Sequence, residues 1–150
     1  MKPHGKGEQA DVHFTFSMTR NPEAFLEFKK ELLITAVQQD EGFIVNEKDT
    51  WSQFDTDYEA QEGGYIPQYR LVMDRTPSTI LESAELAKTE YLTFRTRIIR
   101  DDEGKIISSH FGKITDIMDY GEDGRNSEGG GVHLVYYFNP TSNDRNIESK

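Results

Sequence analysis

Apolar and polar residues alternate along much of this chain, and a period of two predicts strands. Val12, Phe14, Phe16 and Met18 alternate with His13, Thr15 and Ser17, which is the pattern of a strand with one buried face. Tyr65 to Met73 reads as a second strand, in which Pro67 fits an edge or a bulge better than a central position. Residues 90–100 place Leu92, Phe94 and Ile98 on one face. Asp101 to Lys105 then turns the chain, with Gly104 where a left-handed residue is needed. Ile106 to Ile114 returns, and Gly112 suits a bulge. Residues 121–130 form a polar, glycine-rich loop. Val132, Leu134, Tyr136 and Phe138 then line one face of a final strand, 131–138, and Val135 and Tyr137 on its other face predict an interior position. The polar stretch 141–150 is expected to fray.

Two stretches carry helix signals. Asn21-Pro22-Glu23 supplies a cap, a proline for the first helical position and an acid for the first turn. Phe25, Phe28, Leu32, Leu33 and Ala36 then recur at helical spacing toward Gly42. The run Leu33-Ile-Thr-Ala-Val37 is β-branched enough to be strand instead. Thr76-Pro77 is a second start signal, followed by Ile80, Leu81, Ala84 and Ala87. These elements predict one α+β domain over residues 11–140, after a flexible lead over 1–10. Its antiparallel sheet would have five or six strands, with one or two helices on a face. The alternative is a β-sandwich in which 22–39 is partly strand.

Composition narrows the partners. The 150 residues carry 27 acidic against 17 basic side chains, a net charge of −10. Such a chain is repelled by phosphate backbones and anionic membrane surfaces, so no nucleic-acid partner is expected. Nine Phe and seven Tyr argue for a packed core. The absence of cysteine removes disulfides, thiol catalysis and cysteine-bound zinc. No apolar run reaches the ~18 residues of a membrane span.

Residues 91–115, with Asp-Glu-Gly-Lys between two strands and then His110-Phe-Gly-Lys-Ile114, resemble a family of uncharacterised small secreted lipoproteins from gut Gram-negative anaerobes. The run Tyr136-Tyr-Phe-Asn-Pro-Thr-Ser-Asn-Asp-Arg-Asn-Ile-Glu148 resembles the C-terminal signature of the same group. The likeness covers roughly 90–148. It implies export and a lipid-tethered N-terminus in the full-length form, at the periplasm or cell surface. It implies no reaction, so no functional residue comes with it. Without it, a cytoplasmic location is equally open.

The candidate chemistry is sparse. Trp51, Phe54, Tyr58, Tyr65 and Tyr69 lie among Asp, Gln and Glu, a mixture that suits an aromatic platform for a glycan or protein ligand. Core packing is the commoner use of such residues. Asp116, Asp119, Glu122 and Asp123 offer oxygen ligands for calcium, but Gly121 and Gly130 stand where an EF-hand needs acids. Asp55, Asp57 and Glu59 form a second acidic run. His13 and His133 would meet at a metal if the first and last strands pair. Arg95 and Arg97, joined by Arg70 if their strands pair, would make a basic stripe for an acidic partner; cross-strand ion pairing is the plainer account. No Gly-x-Ser-x-Gly elbow, His-Glu-x-x-His or phosphate loop is present. The leading expectation is therefore a non-catalytic exported binding or structural module for a glycan or protein. The alternatives are an acidic, immunity-type inhibitor of a basic partner and a carboxylate-dependent hydrolase.

Overall fold

The computed structural model describes residues 10–24, 27–50, 52, 54–76, 79–83, 89–122 and 130–148, with the side chains of 79–83, 118–122 and 130 left aside. Among the described residues the chain is all β. Eight strands run β1 (Val12–Arg20), β2 (Phe28–Ala36), β3 (Gly42–Glu47), β4 (Gln68–Thr76), β5 (Thr79–Ser83), β6 (Glu90–Arg100), β7 (Ile106–Glu122) and β8 (Gly130–Phe138). They form two four-stranded antiparallel sheets, ordered β1-β2-β4-β5 and β3-β6-β7-β8. This corrects the α+β expectation and matches the β-sandwich alternative.

Both helix signals resolve into sheet. Asn21 does accept a hydrogen bond from the Glu23 amide, at 3.0 Å, but that bond closes a turn. The Asn21 amide donates to the Glu27 carbonyl at 3.0 Å, joining the ends of the β1–β2 connection. An Asn side chain bonded to the amide two residues on serves an Asx turn as readily as a helix cap. Beyond it, Leu32 and Ile34 are fully buried at a spacing of two, and β2 runs antiparallel to both β1 and β4. The second signal is overturned in the same way: Thr76 pairs with Thr79 and Val72 with Ser83, so β4 and β5 form a hairpin. Phe25, Ala84 and Ala87 lie outside the described residues.

One core lies between the sheets. Leu32, Ile34 and Leu71 from the first sheet meet Phe43, Leu92, Phe94, Ile114 and Ile117 from the second. On one side the sheets are tied by Phe43, which exchanges backbone hydrogen bonds with Ile66 at 2.9 and 3.0 Å. Gly42 permits this approach: its φ is +154°, and a Cβ there would overlap the Ile66 carbonyl.

The outer face of the second sheet is covered by residues 54–66 and by the C-terminal segment. Ala60, Phe111 and Ile147 form a small second core with Tyr65 and Tyr137 against it. The expected fraying of the tail is therefore corrected over 141–148. Ile147 is fully buried, its amide donates to the Tyr58 carbonyl at 2.8 Å, and the Ala60 amide donates to the Arg145 carbonyl at 2.8 Å. Asn139 donates to the carbonyls of Asp144 and Asn146 at 3.2 and 2.7 Å. This coverage also corrects the interior placement of the last strand. β8 is the edge of its sheet, and its second face is shielded by the tail rather than by a neighbouring strand.

Candidate functional site

Opposite the Phe43–Ile66 tie, the inner faces of the sheets remain partly uncovered. A cleft of about 420 Å³ is lined by Val12 and Phe14 of β1, Phe94 and Arg97 of β6, Ile114 of β7, and Leu134, Tyr136 and Phe138 of β8, with Asp11 just before β1. The strand pattern explains the lining. Leu134, Tyr136 and Phe138 share a face at a spacing of two, as do Val12 and Phe14. That face is buried in the middle of the molecule and open at this side, so Phe14 is 41% and Tyr136 64% exposed.

Gly112 shapes the inner wall. It pairs with Phe94 on one side and Phe138 on the other, and the two rings stack over it with centroids 6.4 Å apart and planes at 9°. A Cβ at 112 would lie closer than 3.0 Å to the Phe94 ring and to the Tyr137 carbonyl. Gly112 therefore serves ring packing in a regular ladder, which corrects its reading as a bulge. The irregular positions are elsewhere, at Thr96–Arg100 of β6 and at Ile114–Asp119 of β7.

The bulge in β6 delivers the charged end of the cleft. Arg97 has a φ of +54°, a left-handed conformation that costs a non-glycine residue about 1–3 kcal/mol and persists where its surroundings enforce it. Glu41 supplies part of that enforcement. It is 2% exposed and accepts backbone amides from Gln38 at 3.0 Å and Ile98 at 3.1 Å. In an unbroken strand Arg97 would share the outward face of Arg95. Through the bulge it reaches the cleft, where Asp11 takes its Nε and Nη2 at 2.7 and 2.8 Å. The Arg97 hydrogen bond holds the Asp11 carboxyl below its ordinary value, against the opposing effect of burial. The guanidinium lies 4.8 Å over the Phe138 ring. His110 stacks on the same ring at 5.8 Å, and its Nδ1 is buried with no hydrogen-bond partner among the described residues.

Of the candidate site residues singled out from the sequence, Arg97 alone reaches the cleft among the described residues. The basic stripe does not form. Arg70 lies in the other sheet, bonded to Glu31 at 2.5 Å, whose carboxyl the Arg70 hydrogen bond lowers. Arg95 donates to the carbonyls of Asp40 and Glu62 and covers Tyr65 at 4.6 Å. The aromatic platform is dispersed as well. Tyr69 packs on the main core and Tyr65 on the small one, while Phe54 and Tyr58 are 68% and 67% exposed. Trp51 lies outside the described residues. His13 pairs with Thr35 and His133 with Asp119, so the first and last strands are not partners.

The backbone of Asp116, Asp119 and Glu122 runs along β7. An extended strand spreads those residues over roughly 20 Å, whereas a calcium loop gathers its ligands around one ion. Asp123 is outside the described residues. Among them, no group of three or more His, Asp or Glu is placed to hold a metal. Asp55, Asp57 and Glu59 sit in the segment over the second sheet and do not line the cleft; the Asp57 amide donates to the Tyr91 hydroxyl at 3.1 Å.

Phe14, Phe94, Leu134, Tyr136 and Phe138 are the residues that sequence reasoning assigned to buried faces and missed as cleft wall. Their alternation was legible; the missing cover on that side was not. No protein-family model, curated protein or solved structure matches this chain.

Proposed function

We propose that this protein is a non-catalytic binding module whose ligand enters the cleft between β1 and the β6–β7–β8 face. The observation that carries the reading is a concave site of about 420 Å³ with exposed aromatic rims at Phe14 and Tyr136. Its size and mostly apolar wall, with few polar groups at one end, are those of small-molecule sites. The wall favours an apolar body over a glycan, which would need hydrogen-bonding groups along its length. Asp11 is the one carboxylate lining the cleft among the described residues, and it is engaged by Arg97. That arrangement supports binding over carboxylate-pair hydrolysis, which needs two acids across the substrate. The extracytoplasmic placement implied by the likeness of residues 90–148 belongs to the same reading, and cell fractionation tests it separately.

Fluorescence titration with N-phenyl-1-naphthylamine, an uncharged apolar probe, tests the cleft. Saturable one-site binding is expected. Replacing both rim aromatics, Phe14→Ala with Tyr136→Ala, should weaken it about tenfold, since each ring contributes on the order of 0.5–1.5 kcal/mol. The control pair Phe54→Ala with Tyr58→Ala should bind as the parent does. Absence of saturable binding, or equal binding by the rim variant, overturns the reading.

A further inference from the structure

We infer that the cleft selects ligands whose apolar body ends in an uncharged oxygen acceptor, a carbonyl or hydroxyl, and discriminates against carboxylates. The inference rests on the cleft being a binding site and specifies what its Arg97 end reads. Arg97 gives Nε and Nη2 to Asp11, and Nη1 meets no acceptor among the described residues. The bulge brings this guanidinium to the cleft lining, where its side chain is half exposed. His110 stacks on the same Phe138 ring that Arg97 covers, outside the cleft lining. The apolar site thus ends in a guanidinium nitrogen with unused hydrogen-bonding capacity, and ligand oxygens are the groups that satisfy such a donor.

Charge decides between an anionic and a neutral head. A free guanidinium would favour a carboxylate by bidentate pairing. Here Asp11 already occupies that edge of Arg97 and neutralises it. A ligand carboxylate at Nη1 would sit beside Asp11 without a cation of its own, on a protein of net charge −10. A carbonyl or hydroxyl oxygen accepts from Nη1 without that repulsion.

Three probes with one body and different heads test this by calorimetric titration of the whole chain: 2-acetylnaphthalene, 2-naphthoate and 2-methylnaphthalene. The ketone should bind about fivefold more tightly than the methyl compound, the value of roughly one added hydrogen bond, and the naphthoate most weakly. Arg97→Met keeps an apolar stem over Phe138 and should reduce the ketone to the level of the methyl compound. Asp11→Asn leaves the guanidinium uncompensated and should raise naphthoate affinity at least fivefold. Tightest binding of naphthoate by the parent protein, or equal binding of all three, overturns head-group selection and leaves the cleft reading standing. Failure of all three to bind overturns both.

Discussion

Gly112 and Asp11 show how single residues set the cleft. Gly112 carries no side chain because the Phe94 ring and the Tyr137 carbonyl occupy that space, and an aromatic ring covering a strand glycine is a recognised stabilising device. Gly112→Ala should cost about 1–3 kcal/mol, because the Tyr137 carbonyl it meets belongs to the backbone and cannot rotate away. Urea unfolding measures this as a lower midpoint at unchanged slope; an unchanged midpoint would show that the rings yield freely. Asp11 contributes through its ionised form. Its folded pKa lies below the ordinary 3.8, so the stability it adds is complete above that value and is lost as pH falls through the folded pKa. Asp11→Asn should therefore flatten the acid limb of the stability profile below about pH 4, compared by urea midpoints at pH 3 and pH 6.

At the scale of elements, β2 and the C-terminal segment illustrate opposite lessons. β2 contains apolar residues that fit a helical stripe, yet its neighbours β1 and β4 supply backbone partners along its length. Tertiary pairing outweighs weak helix propensity, and Asn21 cannot arbitrate because its hydrogen bond serves turn and cap alike. The C-terminal segment lacks apolar periodicity but folds by local asparagine chemistry. Asn143, at φ +60°, bonds the Ile107 carbonyl and the Ser109 amide at 2.9 and 3.0 Å, and one isoleucine fills the small core. Ile147→Ala should cost about 2–4 kcal/mol and speed hydrogen exchange at the Ala60 amide, which the segment protects. A change within 0.5 kcal/mol of zero would mean that the segment is an ornament on the sandwich.

Across the whole molecule, burial makes the sandwich sensitive to alkali. Desolvation raises the phenols of Tyr65, Tyr69 and Tyr91 to about 12 each, whereas the unfolded chain ionises near 10. A folded pKa above the unfolded one gives stability that is full below pH 10 and is lost as pH rises toward 12. Lys113 acts in the other direction. It is 2% exposed, donates to Thr56 Oγ1 at 2.6 Å, and burial lowers its pKa, so its penalty diminishes as pH rises toward 10.5. Urea midpoints should accordingly fall between pH 10 and 12 in the parent protein. Lys113→Met should remove the rising contribution below pH 10.5 and keep the fall. A flat profile from pH 9 to 12 would contradict the buried phenols.

The alternating runs by themselves determined the strands that became β1, β6, the first half of β7 and β8, because a period of two is a property of the chain and needs no partner to be read. The Asp101–Lys105 hairpin was legible for a similar reason: Gly104 adopts φ +83° and Asp101 bonds the amides of Glu103 and Lys105, all within five residues. Composition likewise set the charge that shapes the head-group argument. Only the tertiary structure decided which sheet each strand joined, that β1 and β8 became edges, and where the apolar faces went uncovered. It also decided that Asp11 and Arg97, 86 positions apart, meet at one end of the cleft. Alternation states which face of a strand is apolar, but whether another layer covers that face depends on packing between residues far apart in the chain.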